Sequence, residues 1–428
     1  MSEPPEAGPP PLLLSACCAA VNETVTRWVA DNTLQYEGAL KCGPASTKCS
    51  PYTNWAYFAV NNLSTSAAST LLTLSHNWLS DPWFSYTDSD DGLEWTRLTA
   101  PCANKRAGCH VHTFSQPRAF IAFSIPYVRR QRERLFADLK ESSTAEVAVF
   151  SLATSEAGHD VSGVNISAAS GTQVGEEGRA LIWFIAGQHA WESGGRWASD
   201  GFARYAASAD GAALLAHADV IVIPIMDIDN VVVGGAGKDS EPVDFNRDWC
   251  PVGGMARNET EAPCQHWKAI RAAVVAVRAA MDSGRYTDLV FVDSHSPGNQ
   301  LEPAEVWTAC GKGPSALEAG AWNRTQVYKA ELARHSAACG RLAYNVTDCA
   351  EVGPAYGNSH SGYHWMDISF INILYNEYPD MMNRKHTRSM SFSHETAEAT
   401  VQENRCYGAA IGTTLAGLLA NPGPVSAE

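Results

Sequence analysis

The 428-residue chain has no run of 18 or more apolar residues, the length that a membrane-spanning helix requires. It is also poor in positive charge, because 31 Lys and Arg stand against 46 Asp and Glu, a net charge of −15. An acidic surface argues against nucleic acid or an anionic membrane as the main partner. The motifs His-Glu-x-x-His and Gly-x-Ser-x-Gly are both missing. Thermolysin-like metalloproteases and α/β-hydrolases are therefore disfavoured.

Cysteine, in contrast, is plentiful. Of the 12 cysteines, six form local pairs, Cys42 with Cys49, Cys102 with Cys109 and Cys250 with Cys264. Six Asn-x-Ser/Thr sequons also occur, at Asn22, Asn62, Asn165, Asn258, Asn323 and Asn345. Together they predict a disulfide-bonded glycoprotein that is secreted or lies in the secretory lumen, with the cytoplasm as the alternative. Another four cysteines, which allow three pairings, are Cys310, Cys339, Cys349 and Cys406.

Residues 1–24 are interpreted as a leader or a signal segment. An apolar stretch from Pro11 to Val21 ends in small residues, as the hydrophobic region of a signal peptide does. The segment before it is acidic and lacks the basic residues that normally begin a signal peptide.

Residues 25–127 are predicted to form a small antiparallel β-sandwich domain. Short segments with alternating apolar and polar residues follow one another without helices between them, which favours a sandwich. The alternative is an extension of the next domain's sheet. The strand-like segments are NWAYFAVNNL, TLLTLSHNWL, WFSYTDSDDGLEWTRL, CHVHTFSQ and RAFIAFSIPY.

Residues 128–428 are predicted to form an α/β domain, with a mixed, mostly parallel sheet and helices on both faces. Continuous apolar runs are typical of buried central strands, and they alternate with helical patterns. The predicted strands are ALIWFIAG, VIVIPIMD, TDLVFVD and SMSFSHE, and the predicted helices include RRQRERLFADLKES, SDGFARYAASADGAALLAHA, CQHWKAIRAAVVAVRAAMDS and YGAAIGTTLAGLLAN.

Two of these strands end in residues that bind metals. His189 and Glu192 follow ALIWFIAG, and His295 follows TDLVFVD. Because the carboxyl ends of strands in an open sheet meet in one crevice, the three side chains are expected to converge. Two His and one Glu, with a fourth position open, are a catalytic zinc set. The sequence therefore predicts one Zn²⁺.

Two further motifs suit the chemistry of such a site. VDFNRDW places Asn246 beside Arg247, and an arginine fork next to an amide is suited to gripping a carboxylate. The alternative is a surface arginine paired with Asp248. Glu395 ends the strand-like SMSFSHE, where a carboxylate can accept a proton from water activated by zinc. The alternative is an ordinary exposed glutamate.

GQHAWES, VDFNRDW, FVDSHS and SMSFSHET occur in the order seen in zinc metallocarboxypeptidases, the funnelin superfamily, which this chain resembles. The N-terminal half is similar to the cytosolic-carboxypeptidase branch, the deglutamylases, in which a β-sandwich precedes the catalytic domain. The resemblance implies hydrolysis of the C-terminal peptide bond of a peptide or protein. It also implies that the carboxylate of Asp244 orients the first histidine ligand.

The chain departs from the family at three positions. Lys238 is the nearest cation where the family has an arginine, and it is a candidate for stabilising the oxyanion. Tyr356 is the candidate for the family tyrosine, with Tyr363 and Tyr375 as rivals. Glu377 competes with Glu395 as the general base, and Glu395 is preferred because a terminal helix follows it.

Two other functions remain open. The first is an amidohydrolase or deacylase acting on small N-acyl amino acids with the same scaffold, since the Asn-Arg pair suits any carboxylate. The second is a non-catalytic zinc-binding or adhesion protein. The complete ligand set, Asp244 and Glu395 argue against the second.

Overall fold

The computed structural model describes residues 27–30, 33–37, 57–61, 70–75, 84–87, 94–98, 109–112, 114–116, 118–171, 178–233, 237, 243–249, 265–296, 305–307, 316–344, 378, 388–396 and 399–421. The chain separates into two compact units, one of residues 1–126 and 230–236, the other of residues 127–229 and 237–428. The domain borders predicted after residues 24 and 127 remain predictions.

Up to residue 126, every described secondary-structure element of the first unit is a β-strand. They are β1 (Arg27–Ala30), β2 (Thr33–Glu37), β3 (Tyr57–Asn61), β4 (Thr70–Ser75), β5 (Phe84–Thr87), β6 (Thr96–Arg97), β7 (Cys109–His112) and β8 (Arg118–Phe123). They form two four-stranded sheets, in the orders β1-β2-β4-β7 and β3-β8-β5-β6. Neighbouring strands are antiparallel except β2 and β4, which are parallel. Tyr86 of one sheet lies against His112 of the other, with ring centroids 4.1 Å apart, so their inner faces meet.

The second unit is built on a seven-stranded mixed sheet. Its strands are β9 (Glu146–Thr154), β10 (Asp160–Ser167), β11 (Arg179–Ala186), β12 (Ala218–Ile223), β13 (Tyr286–His295), β14 (Glu305–Trp307) and β15 (Met390–Glu395). The order is β14-β15-β13-β11-β12-β10-β9. The four central strands, β15, β13, β11 and β12, run parallel, and antiparallel strands flank them on both sides. The predicted mixed α/β fold is confirmed.

Helices cover both faces of this sheet. The described α-helices of the chain are α1 (Arg129–Ser142), α2 (Ser193–Ala207), α3 (Ala212–Leu215), α4 (Ile228–Val233), α5 (Lys268–Asp282), α6 (Ala316–Ser336) and α7 (Val401–Ala420). Of these, α4 includes residues of both units and is not among the helices that pack on this sheet. Buried residues of α1, α2, α3, α6 and α7 pack on one face in a single apolar core. On the other face, α5 packs against β9 and β13. The central strand β11 is buried along almost its whole length, which explains its unbroken apolar sequence.

Several elements differ from their sequence-based predictions. The segment predicted as one helix from Ser199 to Ala218 instead begins at Ser193 and breaks at Ser208, whose backbone is extended. A 3-10 turn over Ala209–Gly211 and the short helix α3 follow the break. The hairpin of β9 and β10, the short strand β14 and the long helix α6 were missed.

A disulfide joins Cys339, just after α6, to Cys406 in α7, with an S–S distance of 2.03 Å. This bond joins two of the four cysteines whose pairing the sequence left open, and the other two, Cys310 and Cys349, lie outside the described residues. Among the described residues, no helix has both the length and the apolarity to cross a membrane.

Candidate metal centre

The two halves of the predicted metal site lie at the ends of neighbouring parallel strands. His189 and Glu192 follow β11, and Glu192 occupies the N-cap position of α2. His295 is the last residue of β13. β11 and β13 are paired in register, Ala186 opposite Ser294, so both strands end at the same edge of the sheet. The carboxyl ends of the two strands therefore lie side by side, as in other open parallel sheets.

A close approach of backbones completes this arrangement. An added Cβ on Gly195, in the first turn of α2, would lie only 2.4 Å from the carbonyl oxygen of Ser294 and 2.9 Å from the nitrogen of His295. Only glycine leaves room for the helix to pass this close to the end of β13. The helix start that holds Glu192 is thereby pressed against the strand end that holds His295.

The three side chains form one buried cluster. Nδ1 of His189 lies 2.9 Å from Oε1 of Glu192, and Nδ1 of His295 lies 2.7 Å from Oε2 of the same carboxylate. One ligand atom from each residue lies within 4.8 Å of the other two. All three residues are at most 2% exposed. The backbone N–H of Ser296 donates to Glu192 as well, at 3.2 Å.

The outer nitrogen of each imidazole contacts a second carboxylate. His189 Nε2 lies 3.1 Å from Oδ1 of Asp244, and His295 Nε2 lies 2.5 Å from Oδ2 of Asp293. Metal-binding histidines characteristically donate their outer N–H to such a carboxylate, which fixes the ring and its tautomer. Both Nδ1 atoms are thereby turned towards Glu192. Two nitrogens and a carboxylate oxygen held in this way fit a zinc ion.

The pKa values of His189, His295 and Glu192 are shifted by the contacts between these side chains and their neighbours. Burial opposes the charged form of each histidine, but nearby carboxylates outweigh it and raise the pKa of His189 and, more strongly, of His295. Burial also opposes ionisation of Glu192, yet the two histidines hold the pKa of its carboxyl well below the usual range. In the metal-free pocket the two histidines therefore keep Glu192 in its carboxylate form.

The turn that contains the predicted carboxylate-binding pair lies beside this cluster. Asp244 is the N-cap of a 3-10 turn, Phe245–Arg247, and its side chain accepts from the backbone N–H of Asn246 at 2.9 Å. The same Asp244 oxygen contacts His189. The side-chain nitrogen of Asn246 lies 3.2 Å from Nε2 of His295. Asp244 thus couples the first histidine to this turn.

The remaining predicted residues are placed as follows. The backbone of Arg247 closes the same 3-10 turn. The Cα of Glu395 pairs with that of His295, so the backbone of the predicted base lies directly beside a predicted ligand. Lys238 and Tyr356 lie outside the described residues, as do the rivals Glu377, Tyr363 and Tyr375.

The residue before Lys238 is nevertheless informative. An added Cβ on Gly237 would lie 2.5 Å from the backbone nitrogen of Ala190, the neighbour of His189. The chain therefore passes close to the metal-binding loop immediately before Lys238.

Sequence reasoning missed two buried residues of the site. Asp293 contacts His295, and the signal was available, because residues two apart in a strand lie on the same face. Gln188 donates to Asp293 at 2.7 Å and to Asn246 at 3.3 Å, and it accepts from Trp249 Nε1 at 2.5 Å. No motif identifies this glutamine, since its role depends on three segments that meet only in the fold.

Arg196 is a third residue that the sequence did not single out. Its guanidinium donates to the backbone oxygen of Ala190 at 2.6 Å and is fully buried. Burial lowers the pKa of Arg196 to about 9, while Tyr127, Glu192 and Asp227 partly offset the effect. Arg196 therefore carries its positive charge at neutral pH and holds the loop between the first two predicted ligands.

Arg388 is the last of three basic residues, with Arg384 and Lys385, in the segment that precedes β15. It is buried near the start of β13, where its guanidinium donates to Asp288 at 3.2 Å and to the backbone oxygens of Leu419 and Gly178. Asp288 and His295 are seven strand residues apart, or about 23 Å. Arg388 therefore stabilises the far end of the sheet, while Arg384 and Lys385 lie outside the described residues.

Residues 133–302 match the sequence model of the family described as zinc carboxypeptidase, Peptidase_M14. This region of the chain is therefore similar to zinc carboxypeptidase domains. The matched region includes the His-Glu-His cluster and the Asn246–Arg247 turn but ends before Glu395. The predicted resemblance to metallocarboxypeptidases is thereby confirmed, whereas the resemblance to the cytosolic-carboxypeptidase branch stays a prediction. A comparison with curated protein sequences finds no significant match.

Solved structures show the same fold. A protein of Shewanella denitrificans OS-217, provisionally named carboxypeptidase A, aligns over 92% of this chain and 95% of its own, with a TM-score of 0.64 and 16% identity. A metallo-carboxypeptidase from Pseudomonas aeruginosa aligns over 91% and 93%, with a TM-score of 0.60 and 19% identity. One from Burkholderia cenocepacia aligns over 91% and 94%, with a TM-score of 0.59 and 14% identity. At such identities the likeness concerns the fold of the zinc carboxypeptidase domain and of the unit that precedes it.

Proposed function

We propose that the chain hydrolyses the C-terminal peptide bond of a peptide or protein, with one zinc ion held by His189, Glu192 and His295. The observation that carries this proposal is the buried His-Glu-His cluster, in which both outer nitrogens contact carboxylates. A purely structural histidine pair has no need of three acidic partners in one pocket. The Asn246 turn beside the cluster adds a means of recognising a free carboxylate.

Each residue has a distinct role in the proposed reaction. Zinc in this pocket supplies a Lewis acid that polarises a carbonyl and lowers the pKa of water. Glu395 accepts a proton from the attacking water and returns it to the leaving amine. Its backbone position beside His295 supports this role. Lys238 stabilises negative charge on the scissile carbonyl oxygen, and Tyr356 lines the site.

The Asn246–Arg247 turn restricts the reaction to the chain end. An arginine fork and an amide together bind a carboxylate through several hydrogen bonds, which an internal peptide bond cannot provide. The structurally similar Pseudomonas metallo-carboxypeptidase was solved with (2-guanidinoethylmercapto)succinic acid, a carboxylic acid. A ligand of that chemistry is consistent with the role proposed for this turn.

The test uses zinc-loaded protein and a panel of peptides that differ in their last residue, each as the free acid and as the C-terminal amide. Release of the last residue from free acids but not from amides is expected. Glu395→Gln is expected to lower kcat at least about 100-fold, the lower range for a general base, while zinc stays bound. Glu377→Gln tests the rival base, and Glu331→Gln, on the exposed face of α6, is the matched control. Hydrolysis of N-acyl amino acids but not peptides would instead favour the deacylase function.

The same panel tests the proposed kinship with the deglutamylase branch. If the chain shares the specificity of that branch, peptides ending in glutamate are cleaved fastest. A pocket that binds a glutamate side chain would need positive charge. Arg388 cannot supply it, because its guanidinium is bound to Asp288. Arg384 and Lys385 remain the candidates, and their replacement by alanine should then abolish the preference.

We also propose that the protein is located in the secretory lumen or outside the cell. Its disulfide and the sequons support this, because disulfides persist mainly in oxidising compartments. Mass analysis of protein from its native source, without reduction, checks the proposal. Free thiols at all 12 cysteines and no glycans would contradict it.

A further inference from the structure

The carboxylate of Asp248 lies directly after the Asn246–Arg247 pair, and it binds the segment that precedes α5. Its Oδ1 lies 2.8 Å from Nδ1 of His266, and its Oδ2 accepts from the backbone N–H of Trp267 at 2.8 Å. Asp248 is 1% exposed. A buried carboxylate with both oxygens bonded is fixed in position, because breaking either bond leaves a buried charge partly unsatisfied.

Backbone and ring contacts strengthen the same link. The N–H of Gln265 donates to the carbonyl oxygen of Asp248 at 2.9 Å, and Gln265 adopts a left-handed backbone with φ of 58°. The indole N–H of Trp267 donates to the carbonyl oxygen of Val243 at 3.1 Å, and its ring stacks on Phe245 with centroids 5.5 Å apart. Positive φ at a non-glycine residue persists only where the surrounding structure enforces it.

The turn over Phe245–Arg247 is therefore fixed at both ends. Asp244 fixes its start and joins it to His189. Asp248 fixes its end and joins it to His266 and Trp267. The second attachment involves no predicted zinc ligand.

From this geometry we infer that His266 and Asp248 are positioning residues for recognition of the substrate's terminal carboxylate. They act through the turn, by setting where Asn246 and Arg247 stand relative to the metal pocket. This inference rests on the proposed function for its substrate. According to this inference, the segment before α5 contributes to the preference for peptides with a free C-terminal carboxylate.

The principal variant is His266→Ala, which removes one bond to Asp248 and is tolerable because the histidine is 22% exposed. KM for a free-acid peptide is expected to rise between about 5-fold and 100-fold, since small misplacements of binding groups have effects of this size. kcat should change less than about twofold, because the predicted zinc ligands and Glu395 are untouched.

His266→Asn is the rescue variant. The asparagine side-chain nitrogen occupies nearly the position of Nδ1, so it can still donate to Asp248. KM should return to within about threefold of the wild-type value. The matched control is His335→Ala on α6, which removes a histidine of nearly equal exposure, 21%, that also lies near a carboxylate, Glu331. It should leave KM unchanged.

A binding measurement separates this inference from the proposed reaction. The probe is a peptide whose last bond is reduced to CH₂–NH and cannot be hydrolysed, prepared as the free acid and as the amide. Zinc-loaded wild-type protein should bind the acid more tightly, and His266→Ala should lose this difference. If the wild type hydrolyses no peptide but this pattern holds, the inference stands and the proposed reaction fails. Equal loss of affinity for both probes, or unchanged KM and Kd in a folded His266→Ala protein, would overturn the inference.

Discussion

Replacing Gly195 by alanine should weaken zinc binding, although residue 195 is not a ligand. The added Cβ would lie 2.4 Å from the oxygen and 2.7 Å from the carbon of the Ser294 carbonyl. Both are backbone atoms that cannot rotate away. Restoring an ordinary contact of at least about 3.4 Å requires a displacement of about 1 Å between α2 and the end of β13.

That displacement acts directly on the predicted ligand set. Glu192 stands at the start of α2 and His295 at the end of β13, so separating the two elements separates the two ligands. Zinc sites tolerate deviations of only about 0.2 Å in ligand distance. We expect zinc affinity to fall about 10-fold to 100-fold, as when a supporting partner of a ligand is lost. Unfolding free energy should fall by about 1–3 kcal/mol from overpacking.

The assay is competition for zinc with a chromophoric chelator, combined with urea unfolding of the metal-free protein. Gly417→Ala is the matched control, because this glycine lies in α7 with nothing within 4 Å of an added Cβ. That variant should keep its zinc affinity and gain about 0.4–1 kcal/mol of stability. If Gly195→Ala binds zinc within twofold of wild type, the steric argument is wrong.

Three other perturbations have expected outcomes. His394 is buried between Tyr328 and Tyr407, and burial lowers its pKa to about 3. The unfolded chain therefore binds a proton at this histidine first, and stability falls as the pH drops below about 6.5. Urea unfolding should show that the wild type loses about 2 kcal/mol of unfolding free energy between pH 6.5 and pH 5, and that His394→Gln lacks this loss. Removing the disulfide by Cys339→Ala with Cys406→Ala should lower the unfolding free energy by about 4 kcal/mol, because the bridge closes a loop with a sequence separation of 67. Asp293→Asn should reduce zinc affinity about 10-fold to 100-fold in the chelator assay, since His295 loses its orienting carboxylate.

Each of these has a contradicting result. A pH-independent stability difference between wild type and His394→Gln would show that the folded histidine titrates normally. A double cysteine variant as stable as wild type would remove the bridge from the stability argument. Asp210→Asn, an exposed aspartate in the 3-10 turn before α3, is the control for Asp293, and equal zinc affinities in both variants would refute the role of Asp293.

The sequence predicted the histidines of the metal pocket better than the residues that surround them. His189 and His295 were recognisable because each lies two residues beyond the end of a predicted strand, and neighbouring parallel strands end at the same edge of a sheet. Asp244 was proposed from the family resemblance alone. Its contact with His189 depends on a 3-10 turn, and a turn this short cannot be predicted from a periodic pattern of apolar residues.

The sequence did not predict elements that are stabilised by contacts with residues far away in the chain. The helix α6 has apolar residues on no clear single face, yet Tyr328 in it stacks on Phe392 of β15 with centroids 3.9 Å apart. Its helical state is therefore fixed by tertiary packing rather than by local pattern. The break at Ser208 was missed for a similar reason, because the backbone N–H of Thr144 and the hydroxyl of Ser143 bind the oxygen of Ala207 from 63 or more residues away.

The position of β15 in the sheet has a consequence for how the protein matures. This strand, residues 390–395, lies between β13 and β14, although both precede it in the chain. In the described sheet, β14 pairs with β15 alone. His295, the last residue of the His-Glu-His cluster in the sequence, is synthesised 100 residues before Glu395. Under the proposed mechanism, a growing chain holds all three proposed zinc ligands before it holds the proposed base, so peptide hydrolysis requires the insertion of this last strand.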